Sequence, residues 1–103
     1  MIINGMEYSS DVIIFPDRLQ NNWWRSKGHE LSLADITGVI TENPDVLVVG
    51  TGASGLMKVL PEVQSEAEAH GIKLIIQPTS VACEVYNQLC RSQEVVAALH
   101  LPC

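Results

Sequence analysis

Basic residues are scarce. The chain carries 6 Lys and Arg against 12 Asp and Glu, a formal net charge of −6 over 103 residues. The few cations are scattered along the chain. A nucleic-acid binder normally shows a basic face, and docking on anionic lipid needs a polybasic patch. Neither nucleic acid nor a membrane is therefore expected as a partner. Cysteine is scarce too: 3 residues, an odd number and too few for a disulfide scaffold. Cys83 and Cys90 on one helix would stand roughly 10 Å apart, too far to bridge. A reduced, cytoplasmic protein is the expectation. No apolar run approaches the ~20 residues that span a bilayer. The first residues have neither the basic region nor the long apolar stretch of a secretory signal. Internal repeats, low-complexity linkers and a complete catalytic constellation are all missing.

What remains is an apolar-rich chain, 47% hydrophobic and 17% charged, which excludes a disordered polymer. Its length suits one domain with a single core. The organising stretch is 45–56. Val46, Leu47, Val48 and Val49 form an apolar run that is β-branched at all but one position. It runs straight into Gly50, Gly52 and Gly55. That pattern predicts a fully buried central strand ending in a tight turn with exposed backbone.

The other elements fall on either side. Residues 2–15 read as strands, with Asn4-Gly5 as turn material and 12–15 strongly strand-forming. Pro16 and Asp17 stop that strand, and 18–22 reads as polar loop. Trp23, Trp24 and Arg25 form a short strand or an anchoring turn. Ser32 is placed to cap a helix, with Asp35 three positions on. Leu33, Ile36, Val39 and Ile40 give that helix an apolar face, and Asn43-Pro44 ends it. Proline suits the first position of a helix, so the next helix starts at Pro61, with Val63 and Ala67 inward and Gly71 as its left-handed terminator. Residues 72–76 form a buried strand. Thr79 or Ser80 then caps a helix through about residue 91, with Val81, Val85 and Leu89 on one stripe. Residues 95–99 close the chain as a strand, although two alanines give it a partly helical character. Alternation of strand and helix over the second half implies a largely parallel sheet with crossover helices, an α/β fold.

The glycines match G-x-G-x-x-G after a strand, a pattern that lets backbone N–H groups approach a phosphate. Pro61 starts the helix too late for its dipole to face such a ligand. The following strand ends in Gln77-Pro78, where a ribose-binding acid would be expected. A dinucleotide site, a small-anion site and a plain structural turn all remain open at this point. Trp24 with Arg25 and His29 would form a stacking wall, unless one tryptophan plugs the core while Arg25 pairs with a carboxylate. Cys83 falls in the first turn of a helix, where the dipole favours thiolate. A nucleophilic role would need a nearby histidine that the sequence does not place. His100 and Cys103 are too few ligands for zinc. Met6 and Met57 read as core filler. Glu62, Glu66 and Glu68 read as a solvated helix face. Ser54 lacks the flanking glycine pattern of a nucleophile elbow.

Together, Trp24-Arg25 with Gly28-His29 and Asp35, Val49 to Gly52, Gly71-Ile72, Thr79 with Ala82-Cys83 and Tyr86-Asn87, and Val96 to His100 resemble the Mth-domain family. That family includes the mitochondrial complex I assembly factor three and the adipogenesis-associated Mth-domain-containing protein. The resemblance spans nearly the whole chain. It implies a single domain over 1–103, with a three-layer α/β fold, a central mixed sheet and an added N-terminal β-hairpin. It implies action through protein partners and no established enzymatic activity. The chain departs from the family pattern at Ile75, where relatives often carry an acid, and at Ser92-Gln93-Glu94, where they often carry arginines.

The leading expectation is a small cytoplasmic, non-catalytic protein of interaction or assembly type, with an unidentified protein partner and no cofactor. Its surface would combine the turn at 50–55 (Gly50, Thr51, Gly52, Ser54) with Trp24, Arg25 and the helix start at Thr79. The alternative is a small anionic-ligand site, or an enzyme, in the same crevice, with Thr51, Ser54, Arg25 and His29 holding the anion. A redox role for Cys83 is a third reading.

Overall fold

The computed structural model describes residues 2–3, 6–7, 11–20, 23, 30–52 and 57–100. Strands β1 (Ile2–Ile3) and β2 (Met6–Glu7) pair antiparallel as an N-terminal hairpin. The connecting Asn4 and Gly5 lie outside the described residues. A main sheet of five strands follows in the order β4-β3-β9-β6-β8. Its members are β3 (Val12–Ile14), β4 (Leu19–Gln20), β6 (Val46–Gly50), β8 (Lys73–Gln77) and β9 (Val95–Leu99). The β9-β6-β8 half is parallel, and the β4-β3-β9 half is antiparallel. A small parallel pair joins β5 (Glu30–Leu31) to β7 (Lys58–Val59).

Chirality fixes where the helices go. Helix α2 (Pro61–Ala69) carries the chain from β6 outward to β8, and α3 (Thr79–Leu89) carries it back past β6 to β9. Right-handed crossovers in opposite directions must lie on opposite faces. The side chains agree. Leu47 and Val49 of β6, Val96 and Ala98 of β9, and Ile13 of β3 pack with Val63 and Ala67 of α2 and with α1 (Thr37–Glu42). Their alternates Val46, Val48, Val95, Ala97, Val12 and Ile14 pack under α3. The result is three layers, and every residue of β6 and β9 is buried.

Several sequence expectations meet the structure closely. Pro61 opens α2, Val63 and Ala67 are buried, and Gly71 takes φ +69. Asn43 ends α1 in the left-handed region at φ 51. The Asp35 carboxylate accepts from the Ser32 N–H and hydroxyl, both at 2.9 Å, at the start of a 3-10 turn (Leu33–Ile36) that leads into α1. Met57 is core filler.

Other readings need correction or completion. Residues 19–20 are strand, not loop: Pro16 and Asp17 are the turn of a hairpin, closed by the Phe15 N–H on the Arg18 carbonyl at 2.8 Å. The middle strand of the five is β9, while β6 is interior and β8, expected as a buried strand over 72–76, is a part-exposed edge strand over Lys73–Gln77. Alanines in β9 mark a strand covered on both faces, where small side chains let the flanking layers close in. On α3 only Thr79 and Ala82 are fully buried; Cys83, Val85, Tyr86 and Leu89 pack part-buried against the sheet, and Val81 is 40% exposed. With Thr79 turned inward at the helix start, Val81 falls outside the packed face, while Val85 and Leu89 stay on it.

Glu62 is not merely solvated either. Its carboxylate accepts the Leu33 N–H at 2.9 Å and ties α2 to the 3-10 turn. Glu66 pairs with His70 at 2.8 Å.

Urea unfolding should separate buried from open positions. Leu47→Ala is expected to cost about 2–5 kcal/mol, because Leu47 is fully buried. Gly38→Ala is expected to gain about 0.5–1 kcal/mol, because nothing stands within 4 Å of the added Cβ on an exposed helix face.

Candidate functional site

The loop after β6 runs towards α2 on one face, and the turn after β8 runs to α3 on the other. Adjacent parallel strands whose exits part in this way form a topological switch point, where open α/β sheets place their ligands. In this chain the point lies at the carboxyl ends of β6 and β8, where Gly50 stands opposite Gln77. Four of the residues singled out from the sequence, Gly50, Thr51, Gly52 and Thr79, sit there.

Their polar groups bond to one another. The Thr51 N–H and hydroxyl both donate to the Gln77 carbonyl, at 3.0 and 3.2 Å. The Gly52 N–H donates to Thr79 Oγ1 at 2.8 Å, and the Thr79 N–H donates to the Gly52 carbonyl at 3.1 Å. The Thr79 hydroxyl then donates to the His100 carbonyl at 2.6 Å. The His100 N–H reaches the Gly50 carbonyl at 2.9 Å. One buried hydroxyl thus joins the exits of β6 and β9 to the first turn of α3.

The glycines are explained by this closeness. A Cβ on Gly50 would meet Thr79 Oγ1 at 2.9 Å and the Thr79 Cα at 3.1 Å. Gly52 holds φ +98, and a Cβ there would stand 3.0 Å from His100 Cδ2. The first requirement is close approach of backbone, and the second is a left-handed conformation that side chains disfavour.

Sequence reasoning missed Asp11 and did not connect His100 with this site. His100 Nδ1 lies 2.9 Å from Asp11 Oδ2, and both side chains are largely buried. Antiparallel register pairs Val12 with Leu99, so Asp11 and His100 are the next cross-strand neighbours. Only knowledge of the β3–β9 pairing could have found the pair, since 89 positions separate the two residues.

Trp23 is the plug at the edge of the core. It is buried, its backbone N–H donates to the Asp11 carbonyl at 2.9 Å, and its indole Nε1 donates to the Asp35 carbonyl at 3.1 Å. Trp24, Arg25, His29 and Ser54 lie outside the described residues. Cys83 lies one helical turn beyond Thr79, on the α3 face that packs against the sheet. Burial pushes its thiol above the ordinary value, against the direction that a helix N-terminus alone would favour. Among the described residues no cluster of three or more His, Cys, Asp or Glu could hold a metal ion. No helix among them is long and apolar enough to cross a membrane.

Comparison with known proteins bears on both fold and family. A family model described as "Protein of unknown function (DUF498/DUF598)" matches residues 1–100. The chain is similar to the solved structure of a conserved hypothetical protein from Pyrococcus horikoshii, with 29% identity, a TM-score of 0.84, and coverage of 98% of this chain and 90% of that one. It is also similar to a protein from Xanthomonas campestris, at 26% identity and TM-score 0.76, over 94% of this chain and 74% of that one. An outer membrane protein from Bartonella henselae shares the fold at 22% identity and TM-score 0.79, over 96% of this chain and 84% of that one. No curated protein matches the chain.

Thr79→Val keeps the shape and removes the hydroxyl, leaving the Gly52 N–H and the His100 carbonyl without that partner. The expected cost is about 2–3 kcal/mol in urea unfolding, against about 1 kcal/mol for Thr79→Ser, which keeps both bonds. Equal costs for the two would contradict the hydroxyl's role. Alkylation by iodoacetamide should label the exposed Cys90 first. Cys83 should react appreciably only above the usual thiol range near ~8.5; fast labelling at neutral pH would reinstate a reactive thiolate.

Proposed function

The chain belongs to the DUF498/DUF598 family of proteins of unknown function, and from that premise we propose that it is a small, non-catalytic factor that acts by binding a protein partner. One observation carries this reading. At the switch point the groups that would grip a ligand grip one another: the Gly52 N–H is held by Thr79 and the Thr51 N–H by Gln77. An anion would have to compete with buried internal hydrogen bonds for those donors. The rim therefore offers a fixed shape in preference to a set of waiting donors. Its rigidity favours recognition by a folded partner, whose interface pays little to order it.

The likeness to Mth-domain proteins belongs to the same proposal, as does an assembly-type role. The interaction surface would lie over the rim that the buried Gly50, Thr51, Gly52 and Thr79 shape, joined by Ser54, Trp24, Arg25 and His29, the last four taken from the sequence. A cytoplasmic location fits the thiols of Cys83 and Cys90. The small-anion reading draws on the same crevice and is weakened by the same bonds.

Affinity capture from native lysate is expected to retain a stoichiometric protein on the wild-type chain and to lose most of it on Trp24→Ala. Capture of nothing stoichiometric, or equal capture by both chains, would contradict the proposal. A thermal-shift panel of nucleotides, phosphates and carboxylates tests the rival. A true ligand at ~100 times its dissociation constant adds about 2.7 kcal/mol of stability, and no such shift is expected.

A further inference from the structure

Strand β8 closes one side of the main sheet, and its register sorts its backbone groups into two sets. Lys73 donates its N–H to the Asp45 carbonyl at 3.1 Å, and the Gln77 carbonyl accepts the Thr51 N–H at 3.0 Å. With Val46 opposite Lys73 and Gly50 opposite Gln77, residues 73, 75 and 77 turn their main-chain groups towards β6. Leu74 and Ile76 turn theirs the other way, to an edge that no described strand covers.

The same two residues place their side chains on the α2 face. There they line a shallow groove of about 260 Å³ with Gln64, Ala67, Glu68 and Ile72. Ile76 is 38% exposed, one of two large apolar side chains left so open among the described residues. Open backbone groups and an apolar groove thus belong to the same pair of positions.

We propose that this edge receives an extended, basic segment of a partner protein, which adds a strand to β8 and seats alternate apolar side chains in the α2–β8 groove. The observations choose this occupant. Outward N–H and C=O groups on a regular strand are a template for another extended backbone. The groove lies below the ~300–1,000 Å³ of small-molecule sites and suits single side chains of a strand. Glu68 stands on its rim with no ion-pair partner among the described residues. The whole chain carries −6. A second copy on this edge would bring like charges together, whereas lysine or arginine on an incoming strand would meet Glu68 favourably. This edge is separate from the rim at Gly52, and its test stands apart from the capture experiment.

The test uses the full chain and a short fluorescent peptide of alternating valine and lysine, with a valine–glutamate peptide for comparison. Anisotropy should show the basic peptide binding roughly tenfold tighter or more. Amide exchange at Leu74 and Ile76 should slow on binding by a similar factor. Ile76→Pro removes an outward N–H without changing net charge or the ladder to β6, and should weaken binding roughly tenfold. Ile76→Lys keeps the N–H but puts a cation in the groove, and should weaken it too, which covers the case in which the proline variant does not fold. Binding that ignores both substitutions would be unspecific charge attraction and would overturn the proposal. So would no binding, no protection at residues 74 and 76, or a wild-type dimer in sedimentation that Ile76→Lys dissolves.

Discussion

The hydroxyl of Thr79 holds together the end of the sheet where a site would be sought. It is buried, accepts from the Gly52 N–H and donates to the His100 carbonyl. Each group it serves would otherwise be left without that partner away from water, at a cost of about 1–3 kcal/mol. The loop after β6, the exit of β9 and the first turn of α3 are therefore fixed relative to one another. Gly50 and Gly52 follow from this constraint. A side chain at the first would strike Thr79, and a side chain at the second would strike His100 in a backbone conformation it disfavours.

The layered fold brings those residues to one place. A parallel half-sheet whose crossovers leave in opposite directions covers both faces with helices and creates a switch point between β6 and β8. Many sheets leave that point open for a ligand. This chain closes it with reciprocal bonds between Gly52 and Thr79 and with Thr51 on Gln77. Meanwhile β8 remains at the side of the sheet, where Leu74 and Ile76 turn their main-chain groups outward and their side chains line the groove beside α2. The proposed recognition of other chains draws on these two features, the fixed strand ends and an edge that no described strand covers.

Elements defined by local chemistry were legible in the sequence. Pro61, Gly71 and Asn43 mark helix ends through backbone geometry that no tertiary contact needs to enforce. The apolar run before Gly50, β-branched and stopped by glycines, reads as a buried strand and is one. On α3 the inward Val85 and Leu89 were legible, but the exposure of Val81 was not, because the inward turn of Thr79 depends on its meeting Gly52 and His100 across the sheet. The strand at Leu19–Gln20 was hidden because a proline turn looks the same whether the chain leaves or doubles back. The Asp11–His100 pair depends on the pairing of β3 with β9, strands from opposite ends of the chain. The glycine pattern pointed to the right place and left its meaning open, since backbone–phosphate contact and backbone–helix contact ask for the same residue.

Native-state hydrogen exchange at the Gly52 amide, with and without added phosphate, tests the central claim most directly. If the Thr79 hydroxyl holds that N–H, its protection should approach that of the Val48 amide inside β6, and phosphate should leave it unchanged. Exchange at the rate of an open loop, or a change in protection as phosphate is added, would contradict the account and return the turn to the anion-binding class.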